Sequence, residues 1–571
     1  MRRLPLGISN YENIVKENRV YVDKTKYIEK LEDFSNKTIM FLRPRKFGKT
    51  LFTSTLECYY DKNRKDRFEE LFGNTYIGKN PTENRNKYCV LRFNFSGIST
   101  ETLEETIKGF REKVDIGINT FVELYGLDFY NNPEQSTEGL LGSLFQAFRF
   151  QKENERIYVI IDEYDHFANE LLGFKTEEFK NLVAKNGKVR KWYEILKEGT
   201  ETVVDRIFIT GVAPITLDST TSGFNIASDL TKDITFNDML GFNRKDVEYL
   251  MDELYISKEA QEELLPVVKT NYDGYVFSDE IPNEEIEKYK LYNSNMTLYF
   301  FNEYIKINKV PEKLVDINII SDYSKIEAFM DLCQNMNKIE LLEKIVSGDL
   351  IESDLTEKFN AEIEFGETEL VSILFYLGYL TIKEKGFSKC KFQIPNDVIR
   401  EIYSNYFLEY ISRKANIVTD SIDTEEVNAD LLLNGNITKL LNILKTFLKN
   451  LSNRDYCRFD EKYVKVIFYT ICRMLGTVYV KSELEVNGRY ADLLLIPKEN
   501  IEERYGILIE FKYIRKEDYE KATRLLMEKQ KQARSQLKDY MRSEEIKMIP
   551  KLRGYSVIVI KDEIEIEEVK V

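Results

Sequence analysis

The stretch FLRPRKFGKT, residues 41–50, decides how the first half of the chain is read. Its last three residues, Gly48-Lys49-Thr50, end a phosphate-binding loop, in which backbone amides and a lysine hold a nucleotide's phosphates. The start departs from the general pattern G-x-x-x-x-G-K-[ST], because Arg43, followed by Pro44, stands where the first glycine is expected. Two readings are open here: a nucleotide site, or a basic strand–helix corner that spells GKT. A phosphate loop needs a strand before it and a helix after it. TIMFL (38–42) reads as a strand, and TLFTSTLECYY (50–60) carries apolar residues at helical spacing. In the nucleotide reading Lys49 reaches the β and γ phosphates, Thr50 ligates magnesium, and Arg43, Arg45 and Lys46 bring extra positive charge to the phosphates or to neighbouring acids.

A second stretch supplies the other half of such a site. IYVIIDEYD (157–165) is an apolar, β-branched run ending in two acids. A buried parallel strand that ends in Asp162-Glu163 sets one carboxylate to hold the metal's water shell and the next to orient an attacking water. The plain alternative is a strand that meets a charged loop. A third strand, RIFITG (206–211), ends at Thr210, where a polar γ-phosphate sensor is expected. His166, the single histidine, invites a catalytic reading, but a helix-start residue beside the site is preferred. Trp192, also single, lies at helical spacing in VRKWYEILK and reads as core or interface.

Outward from these motifs, strand-like runs alternate with helical stretches up to about residue 230, which implies βαβ units and a parallel sheet. With 571 residues and 43% hydrophobic content the chain supports about three or four domains. Short helices fill 231–310, and 311–415 reads as helix, short strand (KCKFQIP) and helix, either a winged-helix-like module or packing between domains. The polar stretch 416–430 is the best linker. The longest apolar runs, LVSILFYLGYLTI and VKVIFYTICRML, fall short of the ~20 residues of a membrane span. With no signal-like start either, a cytoplasmic location and no membrane partner are expected. The six cysteines form no C-x-x-C pair, and with one histidine any metal chemistry falls to carboxylates, hence Mg²⁺ or Mn²⁺ rather than zinc.

Near the C-terminus, YGILIEFKY (505–513) alternates so that Leu508, Glu510 and Lys512 share one face of a strand. A carboxylate and an amine in an apolar strand cost several kcal/mol if buried unpaired. Either this is an edge strand with one wet face or the two groups do chemistry. Asp492, after the NGR turn in ADLLLIP, would lie beside Glu510 in a hairpin. The two acids would then hold a hard cation, with Lys512 able to activate water. The formal charge of −15 argues against nonspecific coating of nucleic acid, but Gly506–Arg553 holds thirteen Lys/Arg against eight Asp/Glu.

Taken together, YVDKT (21–25), RPRKFGKT, IDEYDHFAN, FITGVAPI, LDSTTSGFNIA (217–227), MLGF and NYDGYVF (271–277) resemble, over most of the first 300 residues, the AAA-ATPase-like family whose members carry a C-terminal PD-(D/E)XK nuclease domain. The resemblance makes the Arg-Pro opening the usual form of the loop. At YNSNMTLYF (292–300) the chain departs from it, since relatives show a proline and an aromatic after Tyr-Asn. Asp492, Glu510 and Lys512 match the D…E-x-K arrangement of the nucleases, Glu461 and Glu485 fit as assisting acids, and Gln536 resembles the family's glutamine near the cleft.

The expected architecture is a multidomain α/β chain: an AAA-like P-loop ATPase core (1–230), a helical lid (231–310), a helical, winged-helix-like connector (311–415), and a restriction-endonuclease-like PD-(D/E)XK domain (416–571). The expected function is ATP binding and hydrolysis gating a Mg²⁺-dependent nuclease. Asp162 and Thr50 would hold the first metal, and Asp492 and Glu510 the second, where Mn²⁺ could also serve. The expected partner is nucleic acid, DNA ahead of RNA, and homo-oligomerisation is left open. The alternative is a nucleotide-switched interaction or nucleic-acid-binding protein whose nuclease fold does not cleave.

Overall fold

The computed structural model describes residues 2–174, 187–215, 226–311, 313–315, 323–333, 338–359, 365–419, 422–451, 460–486, 489–498, 504–514, 522–549, 551–560 and 562–570. Most of LDSTTSGFNIA and the NGR turn lie outside these residues, as does Cys457. The chain forms two compact units, one of residues 1–336 and 350–398 and the other of residues 337–349 and 399–571, so that 311–415 contributes to both. Among the described residues no helix is long and apolar enough to cross a membrane.

The first unit is built on a five-stranded sheet: β1 (Thr38–Leu42), β2 (Tyr88–Asn94), β3 (Arg156–Asp162), β4 (Val204–Gly211) and the short β5 (Ser228–Asp229), in the order β2-β3-β4-β1-β5. Every pair is parallel. The apolar runs read from the sequence follow from this, because a strand covered on both faces has no polar side to alternate with. In β3 every residue after Arg156 is buried. Since β4 lies between β1 and β3, the phosphate-loop strand and the acid-bearing strand stand about 10 Å apart, two strand spacings. Phe93, Phe95 and Phe110 pack edge-on against Trp192 at 5.0, 5.7 and 5.6 Å, and the indole is fully buried. Trp192 is therefore core.

After β5 the chain turns helical. Arg244–Glu253 starts with a reciprocal capping box between Asn243 and Asp246, and Lys258–Tyr272 is capped by Ser257. The helix Ser294–Ile307 is capped by Asn293, whose side chain accepts from the Met296 amide, so YNSNMTLYF opens a helix without the relatives' proline. Val247, Leu250, Val268, Tyr272, Met296 and Phe300 form the shared core of these helices. Residues 351–393 add an antiparallel sheet of three strands, β6 (Ile351–Ser353), β7 (Thr381–Lys385) and β8 (Cys390–Gln393), in the order β6-β8-β7.

The second unit carries a mixed sheet of β9 (Val478–Val486), β10 (Arg489–Pro497), β11 (Ile507–Ile514), β12 (Arg553–Ile560) and β13 (Glu563–Val569), in the order β13-β12-β11-β10-β9. Only β11 and β12 run parallel, and the long helix Ala522–Met541 connects them. Alternation along β11 has physical content. Leu508 packs with Leu537 and Tyr540 of that helix, whereas Phe511 lies 5.0 Å from Phe468 of the helix Glu461–Met474.

Candidate functional site

The loop between β1 and the next helix, the candidate phosphate loop, turns on two left-handed residues, Lys46 (φ +71°) and Gly48 (φ +94°). Glycine takes that conformation without cost, while Lys46 is held there by its surroundings. The Lys46 carbonyl accepts from the Asn295 amide at 3.2 Å. The Phe47 carbonyl accepts from the Gly241 amide at 3.1 Å and the Ser294 hydroxyl at 3.2 Å. With these carbonyls turned toward the helical segment, the first-turn amides of the helix Lys49–Tyr60 stand at the loop as an anion site. Lys49 is buried, and its ammonium donates to the carbonyls of Arg43 (2.9 Å) and Pro44 (3.0 Å). Burial pushes this ammonium down, against the attraction of Glu163, Asp165 and Asp162.

Arg43 corrects an expectation. It does not face the phosphate position. Its guanidinium, 1% exposed, donates to the carbonyls of Leu42 (2.9 Å), Thr231 (2.8 Å) and Asn237 (3.2 Å), and lies between the rings of Phe41 and Phe277 at 4.2 and 4.4 Å. Burial pushes it down to about 9, with Asp229 and Asp238 opposing. The arginine that replaces the glycine is thus a structural pin between the loop and the segment after β5. Arg43→Gly, which restores the general motif, is expected to destabilise this unit by about 3 kcal/mol, by a cavity and three carbonyls losing a donor. A urea unfolding midpoint equal to wild type would refute this.

At the end of β3, Asp162 is fully buried, and its Oδ1 has no hydrogen-bond partner among the described residues. Arg92 lies 3.6 Å from its Oδ2. Burial pushes the Asp162 carboxyl up, against Arg92 and Lys49 and a hydrogen bond from Thr50. A carboxylate with an unsatisfied buried oxygen beside a threonine hydroxyl fits a hydrated divalent cation. Glu163 follows in the left-handed region (φ +52°), a strained position for a non-glycine residue that turns it into the cleft. Near it, Arg45 Nη2 lies 3.2 Å from His166 Nδ1, which is 3.7 Å from Glu163 Oε2. His166 begins a helix, as expected, and also lines the cleft. Thr210 is not brought to the cleft, because its hydroxyl donates to the Phe41 carbonyl of β1 at 2.9 Å. Asp165, which sequence reasoning left without a role, accepts from the amides of Val212 (3.0 Å) and Ala213 (2.7 Å) and so fixes the turn after β4.

These residues border a cleft of about 490 Å³. Arg45, Lys46, Lys49, Thr50 and Glu163 bring polar and charged groups to its wall, and apolar residues such as Ile8, Val22, Met239 and Leu298 line it as well. A concave, mostly apolar wall with a few charged groups is the usual make-up of a small-molecule site.

In the second unit, Leu493 pairs with Ile509, so one step further along the ladder Asp492 comes opposite Glu510. Glu510 is 1% exposed, its Oε1 lies 2.8 Å from the Lys512 ammonium, and its Oε2 has no partner among the described residues. Burial, and then the Asp492 charge, push its carboxyl up to about 7. Asp492 accepts from the Phe511 amide at 2.7 Å and pairs with Lys465 at 2.6 Å. Glu461 accepts from the Tyr513 amide at 3.2 Å and meets the same lysine at 2.9 Å. Burial would raise Glu461, but Lys465 and Lys512 draw it below the usual carboxylate range.

The structure therefore gathers Asp492, Glu510, Lys512 and Glu461. The Glu485 side chain lies outside the described residues. Gln536 sits half-buried beside Ala533 and Tyr540, with no hydrogen bond to these acids among the described residues. Lys465 was missed, because Glu461 and Lys465 at i and i+4 read as an ordinary helix-surface pair. Two facing acids, one with an orphaned buried oxygen, suit a divalent cation, although the described residues hold no cluster of three metal-binding side chains.

The comparisons find a family match at each end of the chain. Residues 5–221 match the family described as predicted AAA-ATPase, and residues 459–569 match the PD-(D/E)XK nuclease superfamily. A relative from Azotobacter chroococcum mcd 1, described as an uncharacterized protein in the vnfD 5'region, is 23% identical over 500 residues, which cover 86% of each chain. No solved structure matches. With the loop before Lys49 and the acid-bearing strand inside the first match, and Asp492, Glu510 and Lys512 inside the second, the chain carries an N-terminal domain of the predicted AAA-ATPase family and a C-terminal domain of the PD-(D/E)XK nuclease superfamily.

Proposed function

We propose that the protein binds and hydrolyses ATP in the N-terminal cleft and that this state gates Mg²⁺-dependent cleavage of nucleic-acid phosphodiester bonds by the C-terminal unit. The observation that carries the nuclease half is Glu510: a buried carboxylate with an orphaned oxygen, facing Asp492 and paired with Lys512. Asp492 and Glu510 would hold the cation, which supplies Lewis-acid stabilisation of the phosphate and an acidified water when bound. Lys512 orients the attacking water and steadies charge on the phosphate. Glu461 assists, and the resemblance adds Glu485 as a second assisting acid.

In the ATP half, Lys49 exchanges the Arg43 and Pro44 carbonyls for phosphate oxygens, and the loop amides take up the remaining charge. Thr50 and Asp162 would hold the magnesium, and Glu163 orients water. The gate lies in the loop's other carbonyls, which hold Gly241, Ser294 and Asn295 of the helical lid, so a loop that shifts onto phosphate pulls on the lid. A second reading, a nucleotide-switched binding protein that does not cleave, is favoured by one observation: Lys465 and Lys512 already neutralise Asp492 and Glu510.

The test incubates the full chain with DNA or RNA and Mg²⁺ or Mn²⁺, with and without ATP. Cleavage that depends on ATP and disappears in Asp492→Ala is expected. No cleavage under any of these conditions would leave the binding reading.

A further inference from the structure

The β7–β8 hairpin has no part in either site, yet its tip is unusual. Phe387 is more exposed (109%) than in an extended peptide, and the exposed lysines Lys385 and Lys389 flank it. Neither lysine forms an ion pair among the described residues. On the sheet itself Glu384 pairs with Lys391 at 2.8 Å and Glu352 of β6 stands opposite the same lysine, while of the two acids that follow Asn283 in sequence Glu285 pairs with Lys288 at 3.4 Å and Glu284 is exposed. The backbone at the base of the tip is also held in place. Asn283 clamps Lys385 by donating to its carbonyl (3.0 Å) and accepting from its amide (2.7 Å), and the Gly386 amide donates to the Lys389 carbonyl at 2.8 Å. Any side chain at Gly386 would meet that carbonyl at 2.7 Å. A clamped turn holds the ring out in water, with a positive charge on either side.

A single exposed apolar residue needs no explanation by itself, but an aromatic presented on a clamped turn between two cations is a recognition element for a strand that alternates flat bases with phosphates. We propose that the tip of this hairpin binds nucleic acid, Phe387 stacking on a base while Lys385 and Lys389 pair with the flanking phosphates. The choice of partner rests on the nuclease reading of the C-terminal unit. The hairpin would hold substrate through contacts that distinguish an open strand, whose bases are available to stack, from a closed duplex.

The test uses the full chain in EDTA, so that no cleavage occurs, and follows the fluorescence anisotropy of a labelled single-stranded DNA and its duplex. Phe387→Ala is expected to weaken single-strand binding about tenfold, and Phe387→Trp to retain it. The double variant Lys385→Gln/Lys389→Gln should flatten the dependence of log K on log salt by about 1.4. All variants should melt as wild type, since only exposed tip atoms change. Wild-type DNA affinity in both Phe387→Ala and the double lysine variant would overturn the proposal, and so would variants that lose binding to anionic-lipid vesicles instead. Cleavage is scored separately with Mg²⁺. A chain that cuts nothing but loses affinity on Phe387→Ala ends the nuclease reading and keeps the hairpin contact.

Discussion

Glu510→Gln is expected to lower phosphodiester cleavage about a thousandfold or more while making the C-terminal unit more stable at pH 8. The loss of rate follows from removing one of two facing carboxylates that would hold the cation, an effect worth several kcal/mol in the transition state. The gain in stability follows from linkage. Burial and Asp492 push Glu510 from the ordinary 4.5 to about 7. Between these values the folded chain keeps a proton that the unfolded chain has released, so the unfolded state binds fewer protons and stability falls as pH rises through this window. Above about pH 7 the full cost of the ionised group is present, and glutamine removes it. Because Lys512 also loses its partner, the net gain is about 1–2 kcal/mol rather than the full value of the shift. Urea unfolding in EDTA should show the gain at pH 8 and its disappearance toward pH 4.5. A variant less stable than wild type at pH 8 would mean that the Lys512 pair outweighs the burial of Glu510.

What could be read from the sequence, and what could not, divides along a physical line. Apolar runs such as that before Asp162 announce a covered parallel strand, because the hydrophobic pattern is itself the consequence of burial on both faces. The alternation around Glu510 likewise told which residues share a face. Direction and pairing at a distance are different. Arg43 carries the same charge whether it turns to phosphate or to the carbonyls of Thr231 and Asn237, and only the fold supplies those carbonyls. Thr210 ends its strand as expected, yet its hydroxyl is taken by a neighbour 169 residues away. The 311–415 segment showed one strand to periodicity, whereas β6 and β7 are short and partly polar and become strands only by pairing with β8. Lys465 hid for a similar reason. A pattern that usually means a solvated helix face here ties Glu461 to Asp492 on another element.

Lys49→Ala is expected to weaken ATP binding at least a hundredfold and to leave the N-terminal unit folded. Each charge-assisted contact from the ammonium to a phosphate is worth about 1.5–3 kcal/mol, and two such contacts account for that loss. Lys49 lines the cleft of about 490 Å³, so truncating it opens the carbonyls of Arg43 and Pro44, which accept from it, to that space and should leave them solvated rather than orphaned. Lys49→Arg should not rescue binding, since a planar guanidinium cannot occupy the space of a compact ammonium buried against two carbonyls. Calorimetry gives the affinity, and the rise in unfolding midpoint with added ATP reports it independently, because a ligand at a hundred times its Kd adds about 2.7 kcal/mol. Wild-type affinity in Lys49→Ala would remove this lysine from the phosphate site. The comparison with Arg43→Gly is decisive for the unusual loop. If Arg43 is a pin and Lys49 a ligand, the first substitution lowers stability in the absence of ATP, and the second abolishes the ATP-dependent rise while sparing the baseline. Two basic residues six positions apart in one loop would then have separable roles, one facing the protein and one facing the nucleotide.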